Sequence, residues 1–182
     1  MLDVGCGGGL LSESLARLGG SVTAIDPSPE NIGIAQWHAQ ESSNLRIDYQ
    51  CKSVEALASP PDELYDVVCC LEVLEHVNEV ETFVAHLIDQ VKPGGHLFLS
   101  TLNRTWQAYA LAILGAETLT GIVPQGTHDW NKFITPDELR LMLQPEMTTI
   151  DVTGLVGDPY FVKWHLDPEC VHVNYILCAT KS

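Results

Sequence analysis

Three short stretches carry residue types able to do chemistry. The first is Asp3-Val4-Gly5-Cys6-Gly7-Gly8-Gly9, four glycines behind the end of an apolar run, with an acid just ahead of them. Leu10 to Leu18 then place apolar residues at helical spacing. A strand that turns through glycine into a helix lets a ligand reach backbone N–H groups, because no Cβ stands in the way. A dinucleotide loop wants Gly-x-Gly-x-x-Gly and a pyrophosphate over the helix N-terminus. Here the glycines are bunched, and Asp3 repels a pyrophosphate. The same acid suits a ligand carrying an ammonium and a sulfonium. That points to S-adenosylmethionine (SAM), with Asp3, Gly5 and Gly7 as cofactor-binding residues.

The second stretch ends in Asp26, which closes a β-branched run about twenty residues beyond the loop, where a carboxylate can accept both hydroxyls of a ribose. The plainer reading makes Asp26 a cap for the helix that Ser28-Pro29-Glu30 opens. The third is Glu72-Val73-Leu74-Glu75-His76, directly after the apolar run Tyr65 to Leu71. Coiled as a helix, positions i, i+3 and i+4 bring Glu72, Glu75 and His76 onto one face. Such a trio holds a divalent cation, magnesium or manganese by its oxygens, zinc or iron by its imidazole. It works equally as a general base with an orienting carboxylate, or simply caps a helix and lines a pocket. The residues alone leave these open.

Positioning these stretches takes an alternating chain. Val22 to Asp26, Leu45 to Cys51, Tyr65 to Leu71 and His96 to Thr101 read as strands, the third apolar enough for burial on both faces. Asn31 to Gln40 and Val80 to Val91 read as helices, the latter ended by Lys92-Pro93-Gly94-Gly95. This order predicts an α/β fold with a parallel sheet, right-handed crossovers and helices on both faces. Thr148 to Leu155 and Asn174 to Thr180 read as two strands joined by a loop without a helix, hence an antiparallel last strand. Residues 1–182 form a single domain, with an insert at about 103–130.

Composition narrows the partners. The chain has 182 residues, 24 acids against 9 Lys and Arg, and a net charge of −15. Phosphate binding needs clustered cations, so a nucleic-acid partner is not expected. Nor is attachment to anionic lipid by charge alone. The cysteines (Cys6, Cys51, Cys69, Cys70, Cys170 and Cys178) lack CxxC spacing and read as reduced and mostly buried, as in a cytosol or a mitochondrial matrix. Met1 falls inside a strand expected to begin earlier, so the sequence reads as truncated at its N-terminus and targeting is not legible from it. Between Thr105 and Gly126 the chain is apolar and aromatic, with Glu117 the one acid and no Lys or Arg. This insert follows a strand at the C-terminal sheet edge. It reads either as a lid packed on the core or as a greasy patch for an apolar tail or a bilayer interface.

Taken together, the glycine motif, Asp26, Leu71-Glu72-Val73-Leu74-Glu75-His76-Val77 and Lys92-Pro93-Gly94-Gly95 resemble a class I SAM-dependent methyltransferase. More narrowly, Ser100-Thr101-Leu102-Asn103-Arg104, Val123-Pro124-Gln125-Gly126-Thr127-His128-Asp129-Trp130 and Val173-Asn174-Tyr175 resemble the ubiquinone-biosynthesis O-methyltransferases. The resemblance implies a Rossmann-like, seven-stranded, mostly parallel sheet with a reversed last strand. It implies methyl transfer to a phenolic oxygen of polyprenyl-dihydroxybenzoate and of demethylubiquinol. Gly5 and its loop would hold the methionine part of SAM, Asp26 the ribose and Ser53-Val54 the adenine, with Leu71 beside the cofactor. A divalent metal, magnesium first, is implied at Glu72, Glu75 and His76; without it, His76 or His128 is the general base. The implied setting is the matrix face of the mitochondrial inner membrane in a eukaryote, or the cytoplasm or inner-membrane face in a bacterium, beside other ubiquinone-biosynthesis proteins. Two alternatives remain: a SAM methyltransferase for a small phenol or for C-methylation, and a SAM-binding assembly subunit without activity.

Overall fold

The computed structural model describes residues 1–40, 45–57, 64–108, 130–157 and 163–182. Parallel strands build the first half: β1 (Leu2–Val4), β2 (Val22–Asp26), β3 (Ile47–Cys51), β4 (Tyr65–Leu71) and β5 (Val91–Leu102). Helix α1 (Leu10–Arg17) links β1 to β2, α2 (Pro29–Ala39) leads towards β3, and α3 (Val80–Asp89) links β4 to β5. Ser28 caps α2 by accepting the Asn31 N–H at 3.2 Å, with Pro29 starting the first turn. The last helix, α4 (Pro136–Leu143), begins in a capping box, Thr135 and Glu138 each bonding the other's backbone N–H.

Among the described residues the sheet has eight strands, ordered β3-β2-β1-β4-β5-β8-β6-β7, with β6 (Met147–Gly157), β7 (Trp164–Asp167) and β8 (Asn174–Lys181). Strand β8 runs antiparallel to both β5 and β6, so the reversed last strand is present. The count differs from seven because β7 forms a short hairpin partner for β6. Four half-polar residues with exposed Trp164 and Leu166 give no continuous apolar signal, which is why this edge strand reads as loop from sequence. A second difference lies at Lys92-Pro93-Gly94-Gly95. It does not end the helix but bulges within β5, where the register against β4 jumps from Tyr65↔Val91 to Val67↔His96.

The main core lies on one side of the sheet. There Val68, Cys70, Leu97, Leu99 and Leu177 meet Phe83, Val84, Leu87 and Ile88 of α3 and Leu139 and Leu143 of α4. Among the described residues the buried acids are Asp3 in β1, Asp26 ending β2, Glu75 just beyond β4 and Glu13 in α1. All six cysteines are free, but only Cys6, Cys69 and Cys70 are buried.

Candidate active site

The chain leaves β1 and enters α1 through Gly5–Gly9, and this loop has no slack. Gly5 and Gly9 sit at φ 72° and 83°, the left-handed region that L side chains avoid. A Cβ on Gly5 would stand 2.4 Å from Val73 Cγ2, and one on Gly9 2.4 Å from Tyr49 Oη. The Gly5 and Cys6 N–H groups donate to the Ile25 carbonyl at 2.8 and 3.0 Å, closing the loop on β2. Asp26 completes the closure. Its Oδ2 accepts the Gly7 N–H at 3.0 Å, and its Oδ1 accepts the Ser28 N–H at 2.9 Å and the Asn31 amide at 3.1 Å. The cap of α2 is Ser28 rather than Asp26, whose carboxylate instead ties the glycine loop to the start of that helix.

Asp3 stands behind that loop, 2 % exposed, and accepts the Ser12 hydroxyl at 2.5 Å. Burial raises its pKa above the ordinary carboxylate value, the Ser12 bonds pull it back in part, and the nearby Asp26 charge adds to the rise. Two buried acids side by side make this end of the sheet a place where a cation is favoured. Cys6 is affected too: burial and then the two aspartates push its thiol up to about 12, so it stays neutral.

Against the loop lies a cavity of about 570 Å³, within the size range of small-molecule sites. Gly5, Ser53, Val54, Val73 and His76 are on its wall, with Ile25 and Pro27 on either side of Asp26. Lys52, Asn78 and Thr82, which the sequence reading did not single out, also line it, as does Phe83 from the apolar face of α3. Asp3, Gly7, Asp26 and Leu71 stand outside the lining.

The edge beyond β4 is built differently. Glu72 has φ 57°, the one positive φ of a non-glycine residue among those described, and it precedes the short 3₁₀ turn Leu74–His76. Its carboxylate accepts the Ser100 hydroxyl at 2.6 Å, while buried Glu75 accepts the Thr101 hydroxyl at 2.8 Å. Ser100 and Thr101 are consecutive in β5, and successive strand side chains leave opposite faces. The two glutamates are therefore anchored on opposite faces of the sheet, Glu75 on the side of Leu97 and Leu99.

Comparison with known proteins agrees with this architecture. A family model described as a methyltransferase domain matches residues 1–145. The chain is 46 % identical over 182 residues to the ubiquinone biosynthesis O-methyltransferase of Methylobacterium nodulans, covering 72 % of that protein. It is 48 % identical to the protein of that name from Methylocella silvestris, covering 70 % of it. The chain belongs to the ubiquinone biosynthesis O-methyltransferase family. Among solved structures, the fold matches magnesium protoporphyrin IX methyltransferase from Synechocystis with bound S-adenosylhomocysteine (SAH) at TM-score 0.71 and 25 % identity, over 100 % of this chain and 73 % of that one. The N-methyltransferase NodS from Bradyrhizobium japonicum matches in fold at TM-score 0.68 and 17 % identity, over 99 % of this chain and 76 % of that one.

For a member of the O-methyltransferase family, the implied metal set Glu72, Glu75 and His76 needs three donors facing one point. Among the described residues no group of three His, Cys, Asp or Glu side chains is placed to hold a metal ion. The helical stacking that joined them on paper fails because Glu72 lies outside the turn, at a left-handed backbone angle, and because Ser100 and Thr101 draw the carboxylates apart. As a three-ligand set these residues do not fit. His76 instead stands exposed on the cavity wall with Ser53 and Val54. His128, the Pro124–His128 stretch and most of the insert lie outside the described residues. Ser12 was missed, and Ser100 and Thr101, named above only as part of a motif, were given no role as the hydroxyls that hold Glu72 and Glu75.

Proposed function

We propose that this protein transfers the methyl group of SAM to a phenolic oxygen of a polyprenylated dihydroxybenzene, at the dihydroxybenzoate and demethylubiquinol stages of ubiquinone synthesis. The observation that carries the reading is the glycine loop locked onto Asp26 beside the cavity, with buried Asp3 behind it. When bound there, SAM supplies an electrophilic methyl on a sulfonium. The chain's residues then act by placement. Ser53 and Val54 offer a wall for the adenine. Asp26 Oδ2 accepts a single protein hydrogen bond among the described residues, which leaves it an acceptor direction for a ribose hydroxyl. Asp3 supplies negative charge that favours a sulfonium over the neutral thioether left after transfer.

A free phenol has a pKa of about 10 and is a weak nucleophile at neutral pH. Its proton must leave as the C–O bond forms, and the exposed Glu72 and His76 at the sheet's C-terminal edge are described groups able to take it. In-line attack leaves most of the rate to positioning, worth up to about 7–11 kcal/mol in well-oriented systems. Magnesium is the cation the resemblance implies, but the described donors do not assemble a site for it, so no step is assigned to it. The insert at about 103–130 is proposed to meet the polyprenyl tail at a membrane surface, on the matrix face of the inner mitochondrial membrane in a eukaryote or the inner-membrane face in a bacterium. None of the described helices is long and apolar enough to cross a membrane. Other ubiquinone-biosynthesis proteins are proposed as neighbours there.

The test is a methyl-transfer assay on a short-chain prenylated catechol, with a chelator and with added magnesium. Turnover in both arms is expected. SAM binding without transfer to any catechol would overturn the reading in favour of a non-catalytic SAM-binding subunit.

A further inference from the structure

Among the described residues, Ser100 bonds both ends of Glu72, whose backbone is left-handed. Its backbone N–H donates to both the Ser100 carbonyl at 3.1 Å and the Ser100 hydroxyl oxygen at 3.0 Å, and its carboxylate accepts that hydroxyl at 2.6 Å. Ser100 lies 28 residues away in sequence and is 4 % exposed. A residue with a Cβ keeps a positive φ only where its surroundings over-determine it. The next residue, Val73, packs its Cγ2 where a Gly5 Cβ would stand, and both residues line the cavity. The angle at Glu72 therefore sets how Val73 closes on the glycine loop.

We propose that Ser100 is a positioning residue for the methyl-transfer site: by bonding both ends of Glu72 it holds the left-handed turn that seats Val73 against Gly5 and fixes the Glu72 carboxylate at the sheet edge. This rests on the reading of the cavity as the SAM site. Without the Ser100 hydroxyl, Glu72 relaxes towards ordinary backbone angles and the binding-competent fraction of the free protein falls. Apparent SAM affinity falls by that fraction. Glycine at position 72 takes the same angle without a steric penalty, so it restores the seat of Val73 while removing the carboxylate.

The experiment measures SAM dissociation constants by calorimetry, with kcat and KM for a prenylated catechol, on wild type, Ser100→Ala, Ser100→Thr, Glu72→Gly and the Ser100→Ala/Glu72→Gly pair. Loss of the hydroxyl is expected to weaken SAM binding roughly 3- to 10-fold, the span a buried hydrogen bond supports. Threonine at position 100 and glycine at position 72 in the Ser100→Ala background should each return SAM binding to within about twofold of wild type. Only the threonine variant should also return kcat. A merely structural serine predicts a lowered melting temperature that glycine at 72 does not rescue, and that result overturns the proposal. So does unchanged SAM affinity in Ser100→Ala. If wild type binds SAM but methylates no catechol, the functional reading fails while the affinity series still judges Ser100.

Discussion

Two halves of one sheet edge use opposite strategies. On the cofactor side, the groups that shape the site are mostly backbone: N–H groups of Gly5, Cys6 and Gly7 on Ile25 and Asp26, fixed by short loops. Across β4, shape depends on side chains reaching side chains from distant sequence, Ser100 to Glu72 and Thr101 to Glu75, 28 and 26 residues apart. The contrast shows how such a fold divides labour. A common methyl donor can be met by a backbone cradle, while side chains shape the other half and reach the cradle where Val73 packs on Gly5.

The sharpest way to break this comparison is Gly5→Ala. The added methyl faces Val73 Cγ2 at 2.4 Å and the residue must hold φ 72°, so both the loop and the Glu72–Val73 turn have to shift. Strain of this kind costs about 1–3 kcal/mol, and the displaced loop leaves the cavity wall. SAM affinity is expected to fall about 100-fold or more, measured by calorimetry on a variant that still unfolds cooperatively. Binding within threefold of wild type would mean that the cradle is not the rigid half.

Asp3→Asn is expected to act less strongly and in two directions. The amide still accepts the Ser12 hydroxyl but removes a buried charge, so SAM should bind about tenfold more weakly while SAH, which lacks the sulfonium, changes little. The free protein should melt a few degrees higher at neutral pH. The sign follows from the raised pKa of Asp3. A carboxyl whose folded pKa lies above its unfolded value contributes stability below the unfolded value and loses it as pH rises through the folded one. Wild-type affinity for SAM should accordingly weaken as pH falls through that raised pKa, and the Asn variant should lack this limb. Equal losses for SAM and SAH would show that Asp3 shapes the loop rather than meeting the charge.

How much of this was legible in sequence tracks the same divide. Bunched glycines, the acid at Asp3 and the acid ending β2 are local signals with local causes, and the structure puts all of them around one loop. The parallel order of β1 to β5 and the reversal at β8 were equally readable, because apolar runs and helix caps are written over a few adjacent residues. Glu72, Glu75 and His76 were not. Their spacing fits one helical face, but the chain leaves β4 through a left-handed residue first, and nothing nearby in sequence announces it. The cause is Ser100, which becomes a neighbour only when β5 pairs with β4, Leu71 facing Ser100. Strand β7 stayed hidden for a related reason: its pairing with β6, not its own composition, makes it a strand.

The smallest expected effect is the most telling about the acceptor side. Glu75 is 7 % exposed and gives its oxygen to Thr101 on the face opposite the Ser100–Glu72 bond. Gln in its place keeps an oxygen for the Thr101 hydroxyl. SAM affinity should then stay within about twofold, turnover on a prenylated catechol within about threefold, and the melting temperature within a few degrees, if the bond to the Thr101 hydroxyl is what Glu75 contributes. A metal held jointly by Glu72, Glu75 and His76 makes a different forecast: removing one charged ligand should cost 10- to 100-fold, with partial recovery at high magnesium. Titrating magnesium against turnover in Glu75→Gln and Glu72→Gln separates the two. Similar large losses that magnesium rescues in both variants would mean the carboxylates swing to a common point when the site fills, and the two-face arrangement would then describe only the empty edge.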